Sequence, residues 1–382
     1  MQNFIYHNPT KIVFGEGTIE KIGEETAPFA KKVLYVYGKN SIKTNGVYDQ
    51  TTASLENAGV KRVEFGGVCA NPLLSHTRKG IELARQEKVE AIVAVGGGSV
   101  IDEAKAIAAG TVAKNDVWEF YNRSGTAITA ALPLFTVLTM SATGTEMNGG
   151  TVITNEETKQ KLGIGSPFLY PKISILDPKT LVSVPKNQTA YGAVDAITHL
   201  LESYFTRNDP FTPIQDHYVE GIVRTIIEIT PKMLEKPDDL TTRATFMWAA
   251  TLAWNGLAPA GVGAWSTPNH LIGHSMSALY NTPHGASLSI ALSGWLPWYE
   301  EQSQENRKRL DLLGLAVFEQ SRTIDCLREW FHQIKSPTKL GDIGVDDNGL
   351  TKIAQNIGEN AALWGIPEYN ADFCISILKR CQ

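Results

Sequence analysis

Three of the eight histidines in this chain, His270, His274 and His284, lie within fifteen residues of one another in an apolar stretch. Unpaired polar groups are costly in a protein core, so imidazoles gathered in such a stretch need a partner. A second pair, Asp195 and His199, has the four-residue spacing that places both side chains on one face of a helix. One carboxylate and three imidazoles brought together from these segments would form a site for a divalent metal ion.

The ligand types restrict the metal. Nitrogen and oxygen ligands without thiolate suit zinc, iron(II) or a neighbouring first-row ion, and the ion that is loaded depends on supply as well as on affinity. The four cysteines are scattered without a C-x-x-C pair, which argues against a cysteine-ligated metal. Two histidines and one carboxylate could instead hold the iron of a non-haem oxygenase, but the third histidine and a glycine-rich loop upstream argue against that class.

Plainer explanations of these residues stay open. Asp195 could be an ion-pair partner inside a helix, and His199 could simply bond Glu202 or a hydroxyl group. Single histidines on an apolar face are usually hydrogen-bonded core residues. We interpret the remaining four as core or surface residues: His7, His76, His217 and His332.

The elements that must position these residues differ between the two halves of the chain. In the first half, apolar runs alternate with helical patterns, which predicts a mostly parallel, doubly wound α/β sheet. The strands are expected at 32–37, 60–65, 91–95, 134–138 and 173–176. The helices between them are expected at 47–57, 77–87 and 99–109.

After Pro185 the strand pattern ends, and apolar residues recur at intervals of three and four. This periodicity indicates a helical second half. The long helices are expected at 187–206, 213–230, 239–255, 268–280 and 305–320. We therefore predict an α/β domain over residues 1–183 and an all-α domain over residues 184–382.

A glycine-rich turn directly follows the predicted strand at 91–95, with the residues Gly96, Gly97, Gly98 and Ser99. The backbone N–H groups that open the next helix would point at an anion, and Asp102 lies in the first turn of that helix. Ligands of open parallel sheets bind beyond the carboxyl ends of strands, which favours a nucleotide site here. A turn required only for packing stays the alternative, because the G-x-G-x-x-G pattern is absent.

Two further loops should meet at that edge of the sheet. Gly38 to Ser41 follows the first strand, and Thr139 to Thr145 follows a later one, so both offer hydroxyls and backbone donors to a phosphate or ribose. Lys161 could add a cation. The Gly38 loop has no acidic residue to bond a ribose 2′-hydroxyl, and Lys39, Asn40, Ser41 and Lys43 lie in or beside it. This composition favours a 2′-phosphate, hence NADP(H) over NAD(H).

Composition excludes several partners. The net charge of −5 and the absence of a basic cluster give no footprint for nucleic acid or for an anionic membrane. Residues 124–145 are uncharged, but they are rich in threonine and predict a buried strand with its loop rather than a membrane span. The N-terminus has no signal-peptide pattern, and scattered cysteines fit reduced thiols, so we expect a cytoplasmic protein.

The motifs together resemble the iron-containing (group III) alcohol dehydrogenases over nearly the whole chain. The resemblance rests on Asp195-x-x-x-His199, on the His270 to Gly285 stretch, and on the residues 96–102 and 142–148. The last stretch, with Gly38 after the first strand, is most similar to the NADPH-dependent butanol dehydrogenase and aldehyde reductase subgroup. One departure is that residues 38–41 hold fewer glycines than the usual loop of that subgroup.

The resemblance implies the two-domain architecture shared with dehydroquinate synthase, with a Rossmann-like nucleotide domain, a helical metal domain and the site in the cleft between them. It implies four metal ligands: Asp195, His199, His270 and His284. His274 would line the substrate pocket and could pass a proton to solvent. The residues implied to hold the cofactor are Gly38, Ser41, Gly96, Gly97, Gly98, Ser99, Asp102, Thr139, Thr143 and Lys161. Family members usually form homodimers.

The expected chemistry is reversible hydride transfer between NAD(P)H and an aldehyde or primary alcohol, with the metal polarising the substrate oxygen. No Lys or Arg occurs from 244 to 306, so small uncharged substrates fit best. Three rivals stay open. A phosphate-eliminating enzyme like dehydroquinate synthase would need more cations near the metal, a metal hydrolase would use the glycine turn only for packing, and a non-catalytic sensor would bind metal or nucleotide without turnover.

Overall fold

The computed structural model describes residues 1–122 and 124–382. Contacts divide the chain into two compact units. The first, called the sheet unit below, comprises His7–Val184 and Pro237–Thr251. The second, called the helical unit, comprises Met1–Tyr6, Pro185–Lys236 and Leu252–Gln382.

This division departs from the single cut predicted between residues 183 and 184. Met1–Tyr6 groups with the helical unit, where the Gln2 N–H donates to the Gly261 carbonyl at 2.9 Å. Pro237–Thr251 groups with the sheet unit, where the Thr251 hydroxyl donates to the Glu146 carboxylate at 2.5 Å. Contacts between residues far apart in the chain decide both assignments, and no local pattern reports them.

The sheet unit is built on a six-stranded parallel sheet with the order β1-β8-β5-β4-β2-β3. A separate antiparallel hairpin, β6–β7, was not predicted, because its strands carry glycine and polar residues in place of a continuous apolar run. The strands are β1 Lys11–Phe14, β2 Lys32–Tyr37, β3 Lys61–Phe65, β4 Ala91–Gly97, β5 Leu134–Met140, β6 Gly150–Asn155, β7 Gln160–Gly165 and β8 Ile173–Leu176.

Helices connect these strands as a parallel sheet requires. Buried valines and aromatic residues of the central strands, such as Val93, Val95 and Phe135, form the core beneath them. The helices of this half are α1 Ile22–Thr26, α2 Ser41–Thr44, α3 Val47–Asn57, α4 Leu74–Gln86 and α5 Gly98–Val112. The predicted doubly wound α/β fold is confirmed.

In the second half of the chain, the residues that the structure describes form helices joined by loops and turns. The helices are α6 Lys186–Thr206, α7 Pro213–Glu235, α8 Leu240–Ala253, α9 Pro268–Tyr280, α10 His284–Gln302, α11 Gln304–Phe318, α12 Thr323–Gln333, α13 Asp347–Ala361 and α14 Ala371–Leu378. Helix α10 was missed because it is buried on nearly every face, which removes the amphipathic period. Among the described helices, none is both long and apolar enough to cross a membrane.

Candidate active site

The four predicted metal ligands come together within the helical unit. Helix α6 carries Asp195 and His199, α9 carries His270 in its first turn, and α10 begins at His284. The Asp195 Oδ1 atom lies 3.6 Å from each of three imidazole nitrogens, His199 Nδ1, His270 Nε2 and His284 Nε2. Ligand atoms about 2.1 Å from one ion lie about 3.4 Å apart in a tetrahedral set, so these spacings suit a shared metal.

Three of these atoms have unmet bonding capacity. Asp195 Oδ1, His199 Nδ1 and His270 Nε2 are buried without a hydrogen-bond partner. They lie within 4.8 Å of one another and form the one such group of His, Cys, Asp or Glu among the described residues. Because buried polar atoms are costly to leave unpaired, the arrangement fits a cation that all three share. Their assignment as ligands stays a prediction.

Glu202 is the residue whose role the sequence pattern did not reveal. Its Oε2 lies 2.5 Å from His270 Nδ1, and its Oε1 accepts the backbone N–H groups of Asn269 and His270 at 2.7 and 3.0 Å. A carboxylate at this position favours the tautomer with the proton on Nδ1, in which Nε2 carries the lone pair that a metal ion would need. One signal was available, because Glu202 follows Asp195 by seven residues and therefore shares its helix face.

The surroundings shift the pKa values of two proposed ligand imidazoles in opposite directions. Burial lowers the pKa of His199 to about 3, so this imidazole is neutral, as a metal ligand must be. Burial also acts to lower the pKa of His270, but the Glu202 and Asp195 carboxylates outweigh it and raise that pKa to about 9. Trp254 covers His199 with its ring centroid 4.5 Å away and makes one side of the cluster apolar.

His274 lies beside the proposed metal ligands, one helical turn after His270. Its ring centroid is 5.0 Å from that of His284 and 4.8 Å from that of Trp364. The side chain is buried. The contacts suit a neighbour of the ligands, and its part in proton transfer stays a prediction.

The predicted glycine turn forms the junction of β4 and α5 in the sheet unit. Gly97 caps α5, and Gly98 opens it. A Cβ atom built on Gly98 would lie 2.6 Å from the Thr143 hydroxyl oxygen, so the turn and the loop after β5 are in close contact. The helix N-terminus and this loop together offer backbone N–H groups and hydroxyls to a phosphate.

One loop that the sequence analysis did not assign to the cofactor site contacts three of the predicted cofactor residues. This loop, residues 66–71, follows β3. Its Gly67 N–H donates to the Gly38 carbonyl at 2.8 Å, and its Ala70 carbonyl accepts from the Ser99 hydroxyl at 2.5 Å. Its Asn71 side chain accepts from Lys161 Nζ at 3.0 Å. The carboxyl end of a parallel strand was the signal that could have found it.

Two of the predicted cofactor residues have surroundings that the sequence did not predict. Thr139 belongs to β5, which continues to Met140, rather than to the loop after it. Asp102 is turned into the sheet unit, where its Oδ1 accepts from the Thr145 hydroxyl at 2.6 Å and its Oδ2 accepts from the Val152 N–H at 3.1 Å. Contact of either residue with a cofactor stays a prediction.

Comparison with known proteins identifies the family. The model of the iron-containing alcohol dehydrogenases matches residues 9–178, and the model of the C-terminal part of the Fe-containing alcohol dehydrogenase family matches residues 189–380. This chain belongs to the iron-containing alcohol dehydrogenase family. The probable NADH-dependent butanol dehydrogenase 1 of Bacillus subtilis is 41% identical over 99% of both chains. The NADPH-dependent aldehyde reductase of Escherichia coli is 36% identical over 94% of both chains.

Solved structures of this family have the same fold. The NADH-dependent butanol dehydrogenase A of Thermotoga maritima matches with a TM-score of 0.94 and 42% identity, covering 100% of this chain and 99% of the other. The resemblance drawn from the sequence is thereby confirmed. The chain is an NAD(P)-dependent oxidoreductase of alcohols and aldehydes.

In this alcohol dehydrogenase, Gly98→Ala should weaken dinucleotide binding about tenfold or more. The new methyl group would push the Thr143 loop outward, and overpacking of this kind costs roughly 1–3 kcal/mol. The dissociation constant of NADPH, measured by fluorescence titration, checks this. Gly165→Ala is the matched control, because nothing lies within 4 Å of its new Cβ atom. Equal affinities of the two variants would contradict the contact with Thr143.

Proposed function

We propose that this alcohol dehydrogenase reduces small uncharged aldehydes with NADPH, and oxidises the matching primary alcohols, at one divalent metal ion. Iron(II) and zinc both suit the site. The proposed ligands are Asp195, His199, His270 and His284. The observation that carries the proposal is the convergence of three buried, unpartnered ligand atoms on one point. The butanol dehydrogenases and the aldehyde reductase among the relatives support the substrate class.

When bound, the metal ion would supply Lewis-acid polarisation of the substrate oxygen. A bound nicotinamide cofactor would supply or accept the hydride, and the substrate oxygen would gain or lose the proton. Glu202 holds the His270 imidazole in the ligating tautomer. His274 is proposed to relay the proton. Trp254 and Trp265, whose rings lie 5.6 Å apart, would exclude water and favour an apolar substrate chain.

The preference for NADPH is supported by the loop after β2. Lys39, Asn40 and Ser41 are exposed there, and Lys43 is held over the rings of Tyr37 and Tyr48 at 5.0 and 5.1 Å. A 2′-phosphate would find two lysines and a hydroxyl at this loop, where residues 38–43 include no acidic residue, and the Glu64 carboxylate of β3 attracts only Lys43 of these two lysines. Relatives named for NADH and for NADPH both occur, so the chain's own loop is the better guide.

Lys39→Glu should lower kcat/KM for NADPH about tenfold and change the value for NADH little. The new carboxylate would repel the 2′-phosphate and leave the rest of the dinucleotide in place. Initial rates with both cofactors check this. Lys21→Glu, a charge reversal at another exposed lysine of the same unit, is the matched control. A parallel loss with NADH would argue against a 2′-phosphate site at this loop.

The direct test of the proposed function is the rate of NADPH oxidation with butanal. We expect turnover that disappears on chelation of the metal and returns when iron(II) or zinc is added back. Chelated protein should still bind NADPH, because the proposed cofactor residues include no metal ligand. Failure to turn over any small aldehyde while both metal and dinucleotide are bound would overturn the proposal and favour a sensor.

A homodimer in the cytoplasm is proposed as the working form. The homodimer is the state that the family resemblance implies, and it is supported by strongly exposed apolar residues of the helical unit, with Ile5 98%, Phe211 75% and Ile214 71% exposed. All four cysteines are free thiols, which suits a reducing compartment. Light scattering on the purified protein tests the dimer, and a monomer mass would refute it.

A further inference from the structure

A buried lysine of the sheet unit holds the loop after β5 through an unusual number of contacts. Lys105 has no exposed surface, and its Nζ lies within hydrogen-bond distance of five oxygens. Two of these oxygens belong to Thr145, the carbonyl at 2.7 Å and the hydroxyl at 2.8 Å. Those of Asn148 are the carbonyl at 2.8 Å and the side-chain oxygen at 3.2 Å, and the Gly150 carbonyl lies at 2.8 Å. An ammonium has three protons, so some of these bonds are shared.

Two buried carboxylates compensate the charge of Lys105. Asp102 accepts from the Thr145 hydroxyl, which also contacts Lys105, so Thr145 bridges the two charged groups. Glu146 lies on the same loop and is anchored by the Thr251 hydroxyl at 2.5 Å. Burial lowers the pKa of Lys105 to about 7, and these two carboxylates oppose that change. Replacing the ammonium by an apolar group would therefore leave buried negative charge uncompensated.

The same helix carries this lysine and one wall of the proposed phosphate site. Lys105 follows Gly98 by seven residues, which is about two turns of α5 and returns to the same face. Gly98 meets Thr143 at the N-terminal end of that face, and Lys105 holds Thr145 and Asn148 of the same loop further along it. Through these contacts, the lysine can set the distance between the loop after β5 and the N-terminus of α5.

We propose that Lys105 is a positioning residue of the cofactor site, whose ammonium sets the gap between the glycine turn and the Thr143 loop in which the pyrophosphate binds. The inference rests on the proposed use of a nicotinamide dinucleotide. Lys105 does not touch the cofactor, and it acts through Thr143, Thr145 and Asn148. Loss of its charge widens the gap and weakens every ligand that carries the pyrophosphate.

The test compares the dissociation constants of NADPH and NADH for the wild-type protein and for Lys105→Met. We expect both constants to rise by the same factor, about tenfold or more, because the 2′ end lies at a different loop. The KM for either cofactor should rise with them, and kcat at saturating cofactor should change much less. Leu55→Ala is the matched control, since truncating this fully buried residue of α3 should lower the stability of the protein without affecting the loop.

Each other outcome decides against the inference. Unchanged affinities in Lys105→Met would overturn it, as would a loss confined to NADPH or an equal loss in Leu55→Ala. Should Lys105→Met fail to fold, Thr145→Val keeps the ammonium and removes the bridging hydroxyl, and it should weaken both cofactors several-fold, whereas unchanged binding would refute the role. Wild-type protein that binds neither dinucleotide would instead remove the proposed function, and this inference with it.

Discussion

His199→Ala is expected to abolish stoichiometric metal binding and to lower kcat for butanal reduction about 10³-fold or more. His199 Nδ1 is buried beside Asp195 Oδ1 at 3.6 Å, and neither atom has a hydrogen-bond partner. Without the imidazole, the proposed metal site loses one of its nitrogen ligands. A metal that polarises the substrate oxygen lowers the activation free energy by several kcal/mol, so its loss slows the reaction. Metal content by mass spectrometry and initial rates with butanal measure the two effects.

The control for this variant is His217→Ala on α7, because His217 is 81% exposed and pairs only with Glu220 among the ion pairs of the described residues. It should keep full metal content and activity. The affinity of His199→Ala for NADPH should equal that of the wild-type protein, and this result would show that the variant is folded. Retention of one metal ion per chain in His199→Ala would contradict the proposed ligand set.

Glu202→Gln is expected to lower metal affinity about 10- to 100-fold, the range found when partners of metal-bound histidines are removed. The glutamate accepts hydrogen bonds at both oxygens, from two backbone N–H groups at the start of α9 and from His270 Nδ1. Glutamine has one oxygen, so either orientation turns its NH₂ group toward another donor. His270 then loses its orientation or α9 loses its N-terminal acceptor. Competition titration with a chelating dye measures the change directly.

Glu103→Gln offers a closely matched control for this second prediction. Glu103 is also fully buried and pairs with a histidine, with 2.5 Å between its Oε1 and His76 Nδ1. That pair lies in the sheet unit, whereas the proposed metal ligands belong to the helical unit. Both variants neutralise a buried carboxylate that pairs with a histidine, but only Glu202→Gln should weaken metal binding. Equal metal affinity in the two variants would show that Glu202 does not position His270.

The sequence predicted elements that form an unbroken apolar run or that repeat apolar residues at helical spacing. The run Lys32–Tyr37 is apolar and β-branched enough to predict a buried strand, and the helix predicted at 268–280 matches α9. Helix α10 and the β6–β7 hairpin were missed, because burial on all sides and glycine-rich strands both remove the period. The sequence analysis also did not predict β1, α12, α13 and α14. The segment Pro237–Thr251 grouped with the sheet unit through contacts that no window of sequence contains.

For the site, residue type and helical spacing were sufficient to indicate a metal centre at Asp195 and His199, because four residues make one turn of helix. Packing of α10 against α9 and α6 brings His284 to 3.6 Å from Asp195, and spacing along one helix could not show this. Packing also places Glu202 against His270 Nδ1 and surrounds Lys105 Nζ with five oxygens. Spacing along one element is fixed by backbone geometry, whereas partners on different elements are chosen by the tertiary structure that buries them together.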